Sequence, residues 1–152
     1  MLDVPLSLTI AKEIEAEKKE CWYHALRAFF LYEELQSGWY VEGWAIPDKG
    51  IPLNIEHGWI ERTNGSIIDP TWAMLGNKDV KYFPGIRYTF SEVAELAQGK
   101  KSVQLPLVSR NGVNPLTHLG YLEAYKASFK AATGKDFDML RSHLKKAKSE
   151  AA

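Results

Sequence analysis

The chain has 152 residues, with 19 basic and 19 acidic side chains that cancel to zero formal charge, and 45% of its residues are hydrophobic. That length suits one domain burying about 68 to 70% of its unfolded surface, and the charge balance creates no field to gather nucleic acid or anionic membranes. The opening "MLDVPLSLTI" has no basic leader and no long apolar run, and no stretch approaches the ~20 apolar residues that span a bilayer, so the expectation is a cytoplasmic protein without a membrane or nucleic-acid partner.

Taken in order, the elements run helix, strands, helices. Ser7 to about Leu35 is helix-compatible: "TIAKEIEAEKKE" is highly charged, whereas "CWYHALRAFFLYEEL" brings Cys21, Ala25, Ala28 and Phe29 to one face at helical spacing. "SGWYVEGWAI" (37–46) is aromatic and β-branched, and "PDKGIP" ends it with turn residues. "NIEHGWIERTNGSIIDPTW" (54–72) reads as two further strands around a turn, "YFPGIRYTF" as a fourth, and "SEVAELA" as a helix capped by Ser91 or Thr89. In "NPLTHLGYLEAYKASFKAATG", Leu116, Leu119, Leu122, Tyr125 and Phe129 form an apolar stripe ended by Gly134, and a Lys-rich helix follows. The expected fold is α+β: a single domain over 1–152, with an N-terminal helix on a small, mainly antiparallel sheet (core about 7–98) and a helical C-terminal extension (about 112–149).

The chemistry turns on the hairpin register, because side chains alternate between faces of a strand. A two-residue Asn64-Gly65 loop would put His57 and Asp69 on opposite faces. A three-residue Thr63-Asn64-Gly65 loop pairs Arg62 with Ser66, sets Trp59 opposite Asp69, and leaves His57 diagonal to Asp69 on the same face. Asn-Gly suits either loop. The second is preferred because it also gives Ile60 and Ile68 a shared face.

With that register, the lone cysteine acquires partners. Cys21, His57 and Asp69 are the parts of a nucleophile, a base and an orienting carboxylate. A thiolate is favoured by the partial positive charge of a helix N-terminus and by a nearby imidazolium, and a carboxylate on the far ring nitrogen fixes the tautomer. Pro70 holds Asp69 extended at the strand end. The single cysteine excludes a disulfide framework, and the three residues lack the short paired spacings of zinc motifs, so neither a metal nor a cofactor is expected.

"CWYHA", "YVEGWA", "EHGWIE" and "IIDPTW" together resemble the layout of transglutaminase-like and papain-like thiol enzymes, including small bacterial and phage proteins of that type. The match covers about residues 20–90: Cys21-Trp22 with Ala25 one turn on, His57-x-Trp59, and Asp69-Pro70-Thr71. The resemblance implies a papain/transglutaminase-like core and a hydrolase or acyltransferase that forms an acyl-enzyme at Cys21. Peptidase, amidase, deamidase and transglutaminase chemistry share these parts, and the implied partner is a peptide, a protein or a small acyl or amide substrate.

Trp22, His24, Trp44 and Trp59 are the expected substrate-binding side chains, Trp22 and Trp59 as cleft walls and His24 as a secondary candidate one turn from Cys21. Glu42 and Glu56 face either the site or solvent. The Cys21 backbone N–H is one oxyanion donor, with the second unassigned. His118 and His143 read as surface residues. The competing reading is a noncatalytic protein that binds a partner through an aromatic cleft or its C-terminal helices.

Overall fold

In the computed structural model, which describes residues 1–17 and 20–138, the helix-compatible run from Ser7 to Leu35 divides into α1 (Val4–Glu13) and α2 (Cys21–Leu31). Asp3 caps α1 by accepting the Leu6 N–H at 3.1 Å, with Pro5 in the first turn, where its missing N–H costs nothing. The helix stops at Ile14, and Glu15 adopts a left-handed φ of 52°. Side chains of α2 hold the break: Arg27 donates to the Ile14 carbonyl at 2.8 Å, and the Glu17 N–H donates to His24 Nε2 at 3.1 Å. These long-range bonds override a local sequence that could have stayed helical.

Strands β1 (Trp39–Ile46), β2 (Ile55–Glu61), β3 (Ile67–Ile68) and β4 (Lys81–Thr89) form one antiparallel sheet in the order β3-β2-β1-β4. The aromatic-rich β1 is central and paired on both edges. The hairpin adopts the three-residue loop. Arg62 donates its N–H to the Ser66 carbonyl at 2.9 Å, Gly65 turns with φ +81°, and Ile60 pairs with Ile68. A side chain at that φ would be strained, which is the reason for glycine there.

Tyr40, Ile60, Ile68 and Tyr88 meet Ile10, Ile14, Ala25 and Phe29 of the N-terminal helices, together with Val93 of α4 (Phe90–Ala97). Each large apolar side chain fully buried there contributes about 1.5–3 kcal/mol. A smaller cluster joins Leu2, Val41, Trp59 and Ile67, and residues 1–3 run along β3 through the bonds Asp3 N–H to Ile67 C=O (2.8 Å) and Ile67 N–H to Met1 C=O (3.0 Å). Thr89, one of the two expected caps, starts α4 in a reciprocal capping box with Glu92.

Two expectations need correction. Glu42 faces neither solvent nor the cleft: it is fully buried and accepts hydrogen bonds from the Leu107 N–H (2.5 Å), the Val108 N–H (2.8 Å) and the Tyr40 hydroxyl (2.9 Å). It thereby ties the segment after α4 to the sheet. The apolar stripe of the C-terminal third is also displaced. Helix α5 (Leu119–Thr133) begins at His118, whose ring caps the Tyr121 N–H, so Leu119 sits in the first turn at 72% exposure and Leu116 precedes the helix. The buried face is Tyr121, Ala124 and Ser128, laid across β1 and β4, and Gly134 ends the helix in the left-handed conformation. His118 is exposed as expected; the Lys-rich segment from residue 139 onward, with His143, lies outside the described residues.

Candidate active site

Because β3 has only two residues, the edge of β2 from Ile55 to Trp59 has no strand beside it on that side among the described residues. The N-terminus of α2 packs against β2 and against the short helix α3 (Pro70–Met74). Cys21 is the first residue of α2. The Glu20 side chain makes no capping bond there, and the N–H groups of a first helical turn have no intrahelical partner, so partial positive charge is left beside the thiol. Asp69 ends the hairpin and begins α3, where its Oδ1 accepts the Trp72 N–H at 3.0 Å.

His57 lies between the two. Its Nε2 bonds Asp69 Oδ2 at 2.7 Å, which leaves Nδ1 as the ring nitrogen available to the Cys21 thiol that lines the same cleft. Both His57 and Asp69 are buried, whereas Cys21 is partly exposed. Burial disfavours the imidazolium, but the charge of Asp69, the interaction with the neighbouring Cys21 and the hydrogen bond to Asp69 outweigh it and push the His57 pKa from 6.5 up to about 10. The proton is therefore held on the ring at neutral pH.

Asp69 is itself fixed from several directions. Oδ2 also accepts from the Tyr82 hydroxyl at 2.8 Å, and its N–H donates to Ser7 Oγ on α1 at 3.0 Å. Burial and the Asp69 charge hold the Tyr82 pKa far above the ordinary phenol value, so its hydroxyl stays a donor. Trp72 lies against the His57 ring at 5.1 Å between centroids, and Trp59 stacks near it at 6.3 Å. Gly58 has a specific steric reason: a Cβ there would sit 2.6 Å from Trp22 Cδ1, so glycine lets the indole lie on the strand beside His57.

Cys21 and His57 open into a cleft of about 410 Å³ walled by Trp22, Ile55, Glu56, Trp72 and Leu75, with Thr71 at its base. Of the four side chains expected to bind substrate, Trp22 lines it. His24 does not: it is buried, its Nδ1 bonds Thr71 Oγ1 at 3.0 Å and its Nε2 accepts the Glu17 N–H, so it braces α3 and the α1–α2 connection. Burial lowers its pKa, consistent with a neutral ring that accepts at Nε2. Trp44 points to α5, with ring centroids 5.6 Å from Tyr121 and 4.7 Å from Tyr125. Trp59 is wholly buried in the smaller core cluster, behind His57.

The sequence reading missed Tyr82, Ser7 and the wall residues Ile55 and Leu75, whereas Trp72 is one of the aromatic residues near the sheet that could line a cleft or fill the core, and it lines the cleft. Asp-Pro followed by an aromatic residue was a visible signal for Trp72, since the N-cap aspartate places the third residue of the helix beside it. Tyr82 and Ser7 carried none. Among the described residues no group of three or more His, Cys, Asp or Glu side chains is arranged to hold a metal ion, and no helix is long and apolar enough to cross a membrane. Comparison with protein-family models, with curated proteins and with solved structures gives no match for this chain.

Proposed function

We propose that the protein is a thiol hydrolase or acyltransferase with a papain/transglutaminase-like core, acting on an amide or ester through an acyl-enzyme at Cys21. The observation that carries this reading is His57 hydrogen-bonded to Asp69 and lining one open cleft with the only thiol of the chain, which stands at the head of a helix. A buried inert cysteine has no need of a charged, oriented partner.

In the proposed cycle the thiolate attacks the acyl carbon, the C–S bond forms, and the carbonyl π electrons move to oxygen. The Cys21 backbone N–H at the start of α2 is one donor to that oxyanion. Collapse breaks the bond to the leaving amine or alcohol, which takes the proton from the His57 imidazolium. A water, or an amine or alcohol acceptor, then attacks the thioester while His57 removes its proton, and the Cys21 thiolate leaves. Asp69 keeps Nδ1 toward sulfur throughout, and Tyr82 and the Trp72 N–H keep Asp69 in place.

The test is an acid quench during incubation with p-nitrophenyl acetate, followed by intact mass and peptide mapping. The proposal predicts an acetyl group on Cys21, absent in Cys21→Ala and strongly reduced in His57→Ala. Acylation elsewhere, or none on a folded protein, refutes it and favours the noncatalytic binding reading.

A further inference from the structure

The side chains that line the cleft beside Cys21 are mostly apolar. A peptide needs carbonyl and N–H partners along its backbone, because each polar group buried without one is costly. Here the walls are Trp22, Trp72, Ile55 and Leu75, and the polar side chains among them have partners of their own: one carboxylate oxygen of Glu56 accepts from the Tyr121 hydroxyl of α5, and Thr71 is bonded to His24. The indole N–H groups of Trp22 and Trp72 are shielded from solvent, so these two walls present ring carbon to the cleft. The apolar surface continues outward, since Ile55 and Leu75 are each 39% exposed. The volume of about 410 Å³ falls at the lower end of the ~300–1,000 Å³ typical of small-molecule sites.

We infer that the acyl group taken by this cleft is an unsubstituted apolar chain, so that the substrate is a medium-chain fatty-acyl ester, thioester or amide and not a peptide. This rests on the proposed Cys21 acyl-enzyme for its chemistry, though not for the binding. The chain lies between the two tryptophans toward Ile55 and Leu75, the acyl carbon reaches the Cys21 sulfur, and the leaving group faces solvent.

Two experiments separate the claim from the catalytic proposal. With p-nitrophenyl esters from acetate to decanoate, kept below their micelle-forming concentrations, kcat/KM is expected to rise by about two- to fourfold per added methylene until the cleft is filled. Leu75→Glu and Ile55→Glu, at partly exposed positions outside the core, are each expected to flatten that rise. In Cys21→Ala, which cannot turn over, decanoate is expected to quench tryptophan fluorescence saturably, and a short blocked peptide is not. If the wild type turns over no ester but Cys21→Ala binds decanoate, the catalytic proposal fails and the ligand class stands. If turnover occurs at Cys21 with no dependence on chain length, or Cys21→Ala binds the peptide and not decanoate, the fatty-acyl inference is overturned and the catalytic proposal stands.

Discussion

Asp69→Ala is the most informative single perturbation, because one carboxylate serves three partners. Leaving His57 without its buried counter-charge costs about 3–5 kcal/mol in comparable pairs. Loss of the cap on the Trp72 N–H costs about 1 kcal/mol, and loss of the charge-assisted bond from Tyr82 about 1.5–3 kcal/mol. These do not add, since the same oxygens are shared and His57 can release its proton once the carboxylate is gone. We expect a net loss of about 3–5 kcal/mol, a large part of the ~5–15 kcal/mol that stabilises a domain. Urea unfolding followed by tryptophan fluorescence measures it as a shift in midpoint at constant slope. Asp69→Asn is the companion: its carbonyl can keep the cap on Trp72, but an amide at the Oδ2 position donates to Nε2 and drives the ring proton to the nitrogen facing sulfur. It should lose less stability than alanine yet lose up to about 10⁴-fold in turnover. A loss below ~1 kcal/mol for alanine, or an asparagine variant with near-native turnover, would refute the reasoning.

The pH dependence of stability has a definite sign. With a folded pKa of about 10 against an ordinary 6.5, His57 contributes stabilisation that is complete below pH 6.5 and disappears as pH rises through 10, so urea midpoints should fall across that window in wild type and less in His57→Gln. Glu42 acts in the same direction at lower pH: burial raises its pKa above 4.5 despite its hydrogen bonds, the folded state holds the proton longer than the unfolded chain, and stability falls as pH rises above 4.5, a slope that Glu42→Gln should reduce. Gly58→Ala forces Trp22 off the strand, with an expected cost of about 1–3 kcal/mol by thermal or urea unfolding and a loss of turnover from the displaced cleft wall; unchanged values would place Trp22 elsewhere. Tyr82→Phe removes one donor to Asp69 while keeping the ring beside Trp59, and should cost about 1.5–3 kcal/mol; a neutral result in urea unfolding would mean that Asp69 needs no second anchor.

What could be read from the sequence was local. Asn64-Gly65 suited either loop, and the preference for Ile60 and Ile68 on one face favoured the register that the structure adopts and that brings His57 to Asp69. Thr89 was one of two N-cap candidates before "SEVAELA", and the structure uses it. A helix beginning near Cys21 was expected from the family resemblance, but the contacts that make the break were not legible, since Arg27 and His24 reach back to Ile14 and Glu17. Tyr82 reaches Asp69 from β4, and Ser7 reaches it from α1, contacts that no spacing rule encodes. Trp44 and Trp59 were aromatic candidates equally at home in core and cleft, and only the placement of α5 and of the N-terminal segment puts both into packing.

The central claim is that Cys21 and His57 act as one unit. Its most direct test is the rate of iodoacetamide alkylation of folded protein at pH 6.5, in wild type and in His57→Ala. The account predicts ready alkylation of the wild type, because the thiolate is the reactive form and His57 supports it, and a drop of at least about tenfold in the variant. Equal rates in the two proteins, or a wild-type thiol that reacts only after unfolding, would contradict it.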